Sequence, residues 1–360
     1  MNTCNSIISI IFIFQILIGF INSRERDPLK FHKNHTFTIL QITDLHYGEG
    51  TGYKKDIKSS NLTEYLIRKT NPDLVAVTGD SVSGYAWDRK DPDWSKHMWQ
   101  NWTKVFNITK TKYAYTFGNH DSEADFSKEE IFELEMQHPY SYMKRTYDIN
   151  GFSNYVLPIY SAFGNENTTN NISGLLWFFD TNRQGCKNLN ESQTWGCIEE
   201  DQIAWYKKES ENIKNTYGDK NGLGFFHIPL PEYRDVFNWR LTYGTRNEPV
   251  NCPKVNTKMF EEMKKWNNIQ ATFAGHDHNN DYGGEYDGIE LVYGRKTGVG
   301  GYGPDFFQRG ARLITLTEYY DSNGNIKFKY EHKVIQEDGT FDKQQSKFWY
   351  GWNFAWDCVY

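Results

Sequence analysis

With 360 residues, the chain is long enough to bury one large core or two modest ones. Hydrophobic residues make up only 38% of it while aromatics alone reach 17%, so rings must carry much of the core, and this ring content excludes intrinsic disorder. The 40 Lys and Arg against 46 Asp and Glu leave a formal charge of −6, which excludes a global basic field for a nucleic-acid backbone, though not a local basic site; no nucleic-acid partner is expected.

Residues 7–21, IISIIFIFQILIGFI, carry no charge and give way to Asn22, Ser23 and the polar RERD. The pattern predicts a signal peptide over 1–23. Its first residues contain no Lys or Arg, so a signal anchor retained in the membrane is the competing reading. The run is shorter than the roughly 18 apolar residues that a span needs, and no second run of that kind follows, so no stable membrane span is expected once the leader is removed. N-x-[ST] sequons at Asn34, Asn61, Asn101, Asn107, Asn167, Asn171 and Asn190 predict N-glycans at some of these positions. A glycoprotein, secreted or lumenal in the secretory or endolysosomal pathway, is the expectation. Cys4 falls in the leader, and an oxidising compartment makes disulfides the expected state of Cys186, Cys197, Cys252 and Cys358. Four Cys allow three connectivities. Cys186 with Cys197 would close a local loop, and Cys252 with Cys358 would tie down the aromatic tail.

Short apolar runs ending in polar clusters predict strands over 37–43, 74–78, 113–117, 175–179, 224–226, 271–274, 289–293 and 313–317. Helix-compatible stretches at 57–69, 128–137, 199–213 and 257–266 lie between them, and such alternation predicts a layered α/β architecture. No repeat, linker or long charge block divides the sequence, so a single domain over 24–360 is expected.

Five predicted strands end in residues that carry chemistry: Asp44 and His46 in ITDLH, Asp80 in VTGD, Asn119 and His120 in FGNHD, His227 in GFFHIP, and His276 and His278 in AGHDH. Ligands of open α/β sheets bind at the carboxyl ends of strands, so these tips should meet in one crevice. Oxygen donors with imidazoles and no Cys suit Zn, Fe, Mn or similar ions. A lone DLH or GD is more often a buried strand end or a turn; GHDH after an apolar strand is the most specific piece, and all five in this order are hard to reconcile with chance.

In order these motifs, D-x-H, G-D, G-N-H-D, a single His and G-H-x-H, resemble the signature of calcineurin-like metallophosphoesterases. The blocks SGLLWFFDT, QTWGCIEEDQIAWY, FFHIPLPEY, GHDHNND and YGRKTGVGGYG are similar to the purple acid phosphatase-like branch of that superfamily over about residues 38 to 317. The resemblance implies a four-layer α/β/β/α sandwich around two divalent or trivalent metal ions (Fe, Zn or Mn). Asp44, His46 and His278 would hold one ion, Asn119, His227 and His276 the other, and Asp80 would bridge them. It also implies hydrolysis of phosphate monoesters by attack of a metal-bound hydroxide, the acid-phosphatase-like chemistry of a phosphoric ester hydrolase. His120 would protonate the leaving alkoxide or hold a phosphate oxygen. Asp121 would either orient His120 or serve the turn.

The sequence departs from the branch at one ligand. Ser83 in GDSVSGY stands where the purple enzymes have an iron-ligating Tyr, and His46 stands where they usually have Gly, so an imidazole would replace the phenolate and the protein should not be purple. All seven ligand positions are filled, which favours a competent enzyme. A phosphodiesterase of the same superfamily and a non-catalytic glycoprotein retaining the fold are the alternative readings. GVGGYG at 298–303 matches G-x-G-x-x-G only weakly and reads better as a Gly-rich turn in close backbone contact beside the GHDH loop. Arg295 and Lys296 face either a phosphate ester or solvent. Trp87, Trp94, Trp99 and Trp102 read as scaffold packing before a pocket rim, as does the aromatic tail at 348–356. His97 and His138 read as ordinary polar residues.

Overall fold

A computed structural model describes residues 26–50, 53–163, 171–344, 346–347 and 358–359. The leader over 1–23, the sequon at Asn167 and the aromatic tail at 348–356 lie outside the described residues. Among the described residues two large sheets form. The smaller one orders its five strands Ile326–Gln336, Gly310–Tyr320, Thr36–Ile42, Leu74–Thr78 and Tyr113–Thr116, with the last three parallel. The larger one has nine strands, and at its centre Ile172–Phe178, Asn221–Phe225, Ala271–Ala274 and Ile289–Tyr293 run parallel. Parallel neighbours need crossovers, and helices supply most of them.

Side-chain alternation sets the layers. On Ile172–Phe178, Leu176 and Phe178 join the core between the sheets, whereas Leu175 and Trp177 join a second core under the helices Glu200–Tyr217, Glu232–Trp239 and Met259–Trp266. Leu291 and Tyr293 likewise face the helices, and Val292 between them faces the other sheet. The helices Lys54–Thr70, Trp94–Thr109 and Lys128–Gln137 cover the outer face of the smaller sheet through Leu66, Trp102, Phe106 and Ile131. The result is helices, sheet, sheet, helices. Rings fill it: Phe178, Phe225 and Phe273 stack in series at 5.1 and 5.4 Å, each burial stabilising by roughly 1.5–3 kcal/mol.

Local sequence explains the helix ends. Ser127 and Glu130 form a capping box at the start of Lys128–Gln137, as do Glu199 and Gln202 before Glu200–Tyr217. Asn71 closes Lys54–Thr70 in left-handed backbone. The Trp94–Thr109 helix was not among the predicted ones. Its apolar positions 98, 99, 102, 105 and 106 make a helical stripe, and Trp94, Trp99 and Trp102 are buried in the core instead of rimming a pocket.

Both disulfides are present, Cys186 with Cys197 and Cys252 with Cys358. No helix among the described residues is long and apolar enough to cross a membrane. Asn34, Asn61, Asn101, Asn107, Asn171 and Asn190 are all exposed.

Candidate metal centre

The two sheets are pinned to each other at the carboxyl ends of their parallel strands. The Gln41 amide donates to Thr78 Oγ1 and to the Ala274 carbonyl, each at 3.1 Å, and Thr116 Oγ1 donates to the Phe179 carbonyl at 2.8 Å. Five loops leave the strands at this seam. They bring Asp44, His46, Asp80, Asn119, His120, His227, His276 and His278 together. Asp44, His46 and His278 form one buried cluster, and Asp80, His227 and His276 form another, the donor atoms of each lying within 4.8 Å of one another. Asp80 Oδ2 stands 3.1 Å from His227 Nε2 and 3.7 Å from His46 Nε2, so one carboxylate oxygen faces an imidazole of each cluster. Asn119 Oδ1 lies 2.9 Å from His227 Nε2.

Tight backbone makes this convergence possible. Asp44, His46, Asp80 and His276 all take left-handed backbone, with φ of 55°, 52°, 50° and 78°. For residues with a Cβ this conformation costs on the order of 1–3 kcal/mol each. Gly118 lets the GNH loop press on the GD loop: a Cβ there would stand 2.2 Å from Asp80 Oδ1. Asp121 does not orient His120. Its carboxylate accepts the backbone N–H groups of Asp80, Val82 and Gly118 at 2.7 to 3.1 Å and so ties the same two loops together. The partner of His120 is Glu123, whose Oε2 is 2.6 Å from Nδ1 while Oε1 pairs with Arg183 at 2.6 Å.

Hydrogen bonds on the outer ring nitrogens fix which lone pairs point inward. His278 Nδ1 donates to the Tyr302 carbonyl at 2.9 Å and His227 Nδ1 to the Thr78 carbonyl at 2.8 Å. His46 Nδ1 meets Ser83 Oγ at 2.8 Å, and the Ser83 hydroxyl is itself directed to Glu49 at 3.0 Å. In the neutral form, Nε2 of each of these rings therefore carries the lone pair. His46 and His278 turn theirs on each other at 3.1 Å, and His227 turns its own on two oxygens. His276 Nδ1 joins them, 3.3 Å from His227 Nε2. Imidazole lone pairs converging on carboxylate and amide oxygens fit cations, so the donor set suits a pair of metal ions.

The electrostatics agree with that reading. Burial opposes charge on Asp80, but the neighbouring His227 and His120 hold its carboxyl well below the usual range. Burial likewise opposes a proton on His227, yet the Asp80 charge raises it to about 9, so without a metal a proton takes that place. Burial and the Lys296 charge push His46 down. His120, half open to the cavity, is raised by Asp80 and by its bond to Glu123 against the cost of burial.

Several contributors were not predicted. Ser83 orients His46 at the position where the resemblance placed a missing Tyr. Tyr302 stacks on His278 at 3.9 Å, and Glu123 stands three residues after His120. The GVGGYG segment is a close-approach turn: Cβ atoms on Gly298 and Gly300 would stand 2.1 and 2.0 Å from the Leu45 and His46 carbonyls. Arg295 faces neither phosphate nor solvent, being buried between Asp281 and Asp342. Lys296 is buried too and donates to the Asp44 carbonyl at 2.9 Å. A cavity of roughly 370 Å³ opens over both clusters, lined by His46, Asp80, His120, His276 and His278 below and Tyr85, Trp195, Glu248 and Tyr302 towards its mouth.

Residues 37–280 match the family described as calcineurin-like phosphoesterase. The chain is 27% identical over 317 residues to a protein of Arabidopsis thaliana named "Probable inactive purple acid phosphatase 29", covering 81% of this chain and 79% of the relative. It is 29% identical to "Phosphatase DCR2" of Saccharomyces cerevisiae, over 68% of this chain and 44% of that one. Among solved structures, a dimetal phosphatase from Danio rerio superimposes with a TM-score of 0.54 at 15% identity, covering 86% of this chain and all of the other, a likeness of fold.

Proposed function

The chain belongs to the calcineurin-like phosphoesterase family, and from that premise we propose that it is a metal-dependent phosphatase that hydrolyses phosphate monoesters. The observation that carries the proposal is the pair of buried donor clusters with one oxygen of Asp80 between them. Asp44, His46 and His278 would hold one ion, Asn119, His227 and His276 the second, with Asp80 shared. Two such ions, Fe, Zn or Mn, would supply an acidified water and neutralise charge on the phosphoryl oxygens. His120 holds its Nδ1 proton against Glu123, which leaves Nε2 to deliver a proton to the leaving oxygen. Glu123 favours the charged imidazole, and Arg183 fixes Glu123. A leader over 1–23, one phosphoesterase domain over 24–360, N-glycans and a secreted or lumenal site of action belong to the same proposal; the two disulfides and the exposed sequons support it.

The test uses purified protein loaded with Mn, Zn or Fe and assayed on p-nitrophenyl phosphate and its bis-ester from acid to neutral pH. Turnover of the monoester is expected. Preferential turnover of the bis-ester would make the chain a phosphodiesterase. No turnover of either with both sites filled would leave a binding protein, the reading that the relative's name favours. Fewer than two ions per chain at saturation, or a strong visible band with iron, would contradict the ligand scheme.

A further inference from the structure

The cavity over the two clusters has a wall that the ligand scheme does not use, built from segments far apart in sequence. Trp195 ends the Glu191–Trp195 strand of a small hairpin bracketed by the Cys186–Cys197 disulfide, and its ring meets His276 edge-on at 4.5 Å. The indole N–H donates to the Val359 carbonyl at 3.0 Å. Val359 in turn donates its backbone N–H to the Val250 carbonyl at 3.1 Å, and the neighbouring Cys358 is bonded to Cys252. Two disulfides and two hydrogen bonds thus hold one indole beside the metal-ligand cluster. Tyr85 and Tyr302, both half exposed, stand at the same mouth, Tyr302 with its hydroxyl on Glu248. Among the described residues that line the cavity there is no Arg or Lys, and Glu248 adds a carboxyl.

We infer that this wall is the leaving-group subsite and that it selects phosphate monoesters whose alcohol is uncharged or cationic and presents an aromatic or apolar face. The inference rests on the phosphatase reading for its role in turnover. Its chemistry comes from the wall alone. The two ions would neutralise one phosphoryl group, and a leaving group bearing further phosphates or carboxylates would meet rings and Glu248, with no Arg or Lys among the described lining residues to receive it and His120 already engaged on the leaving oxygen. A flat or cationic group would instead stack on Trp195 and the two Tyr rings, which have a negative face.

Two measurements on the metal-loaded chain test it. In the first, kcat/KM for p-nitrophenyl phosphate should exceed that for pyrophosphate and inositol hexakisphosphate by about tenfold or more. Trp195→Ala should raise KM for the aryl ester by about three- to tenfold, the range of one aromatic contact, and change kcat far less. Trp195→Phe should restore most of the loss. Inhibition by inorganic phosphate, which reaches only the metal ligands, should be equal in wild type and variants and so reports that they are folded. In the second, phenyltrimethylammonium binding is followed by calorimetry, with Trp195→Ala and Glu248→Gln expected to weaken it. Polyanionic esters turned over as well as the aryl ester would overturn the inference, as would an unchanged KM in folded Trp195→Ala. If no ester is turned over, the phosphatase reading fails, and ammonium binding lost in Trp195→Ala still supports the subsite; its absence in wild type overturns the subsite as well.

Discussion

His120 is the side chain on which the proposed proton transfer depends, and its neighbours separate its role from that of the ligands. It is bonded to Glu123 and holds no position in either donor cluster. His120→Ala should therefore lower kcat on p-nitrophenyl phosphate by about 10²- to 10⁴-fold while two ions per chain remain by elemental analysis. Glu123→Gln keeps the hydrogen bond and removes the charge, so a smaller loss is expected. Loss of metal in His120→Ala would instead make it a structural support of the site. At this scale the sequence was legible wherever a motif marked a residue. Asp44, Asp80, Asn119 and the five His could all be picked out because each follows an apolar strand. Glu123, Ser83 and Tyr302 could not, because what they do depends on which atom of a neighbour they touch. Asp121 shows the same limit: adjacent in sequence to His120, it serves the backbone of two loops.

The elements of the site are strand ends, and their spacing rests on backbone contact. Gly118→Ala places a Cβ against Asp80, so the GD and GNH loops must separate. The expected outcome is a chain that still folds, by circular dichroism, but binds fewer than two ions at concentrations that saturate wild type; full metal content would show that the loops can yield. Away from the metal site, Glu135 links the Lys128–Gln137 helix to Trp99, whose N–H it accepts at 2.6 Å, and to Ser141. Burial lifts its carboxyl to about 6 despite those hydrogen bonds. Between the ordinary value of 4.5 and about 6 the folded chain keeps a proton that the unfolded chain has released, so this residue's contribution to stability falls as pH rises through that window. His138, pushed down to about 4 by burial, acts in the opposite sense from its ordinary 6.5 downwards, which is why the comparison must be made between variants. Glu135→Gln should gain about 2 kcal/mol on wild type between pH 4.5 and 7 in urea titrations; a constant difference would refute it. Strands were legible from apolar runs, with 74–78, 271–274 and 289–293 matching the observed bounds. The Trp94–Thr109 helix was missed because its Trp residues read as a cluster before they read as a stripe.

At the scale of the whole molecule, the layers were expected from the alternation of strands and helices, and their number came with the resemblance. The seam between the sheets was not legible, since it depends on side chains such as Gln41 reaching across 233 positions of sequence. The disulfides were open to three pairings, and spatial proximity selects one. Cys252–Cys358 closes a loop with a separation of 106 and Cys186–Cys197 one of 11, worth about 5 and about 3 kcal/mol by chain entropy. Thermal unfolding of Cys358→Ser should thus lie well below that of Cys186→Ser. Equal losses would mean that the longer loop is already restrained in the unfolded chain.

The left-handed backbone at Asp44, His46, Asp80 and His276 bears on how such a chain drifts under mutation. Gly would relieve the strain at each position. A lineage retaining the fold merely as a scaffold would therefore have a substitution open to it at each of the four positions that relieves backbone strain and removes one candidate metal donor. Most random changes destabilise, so changes of this kind are the ones that neutral drift keeps. Strained backbone at four candidate donors is a cost that metal binding at this site would offset.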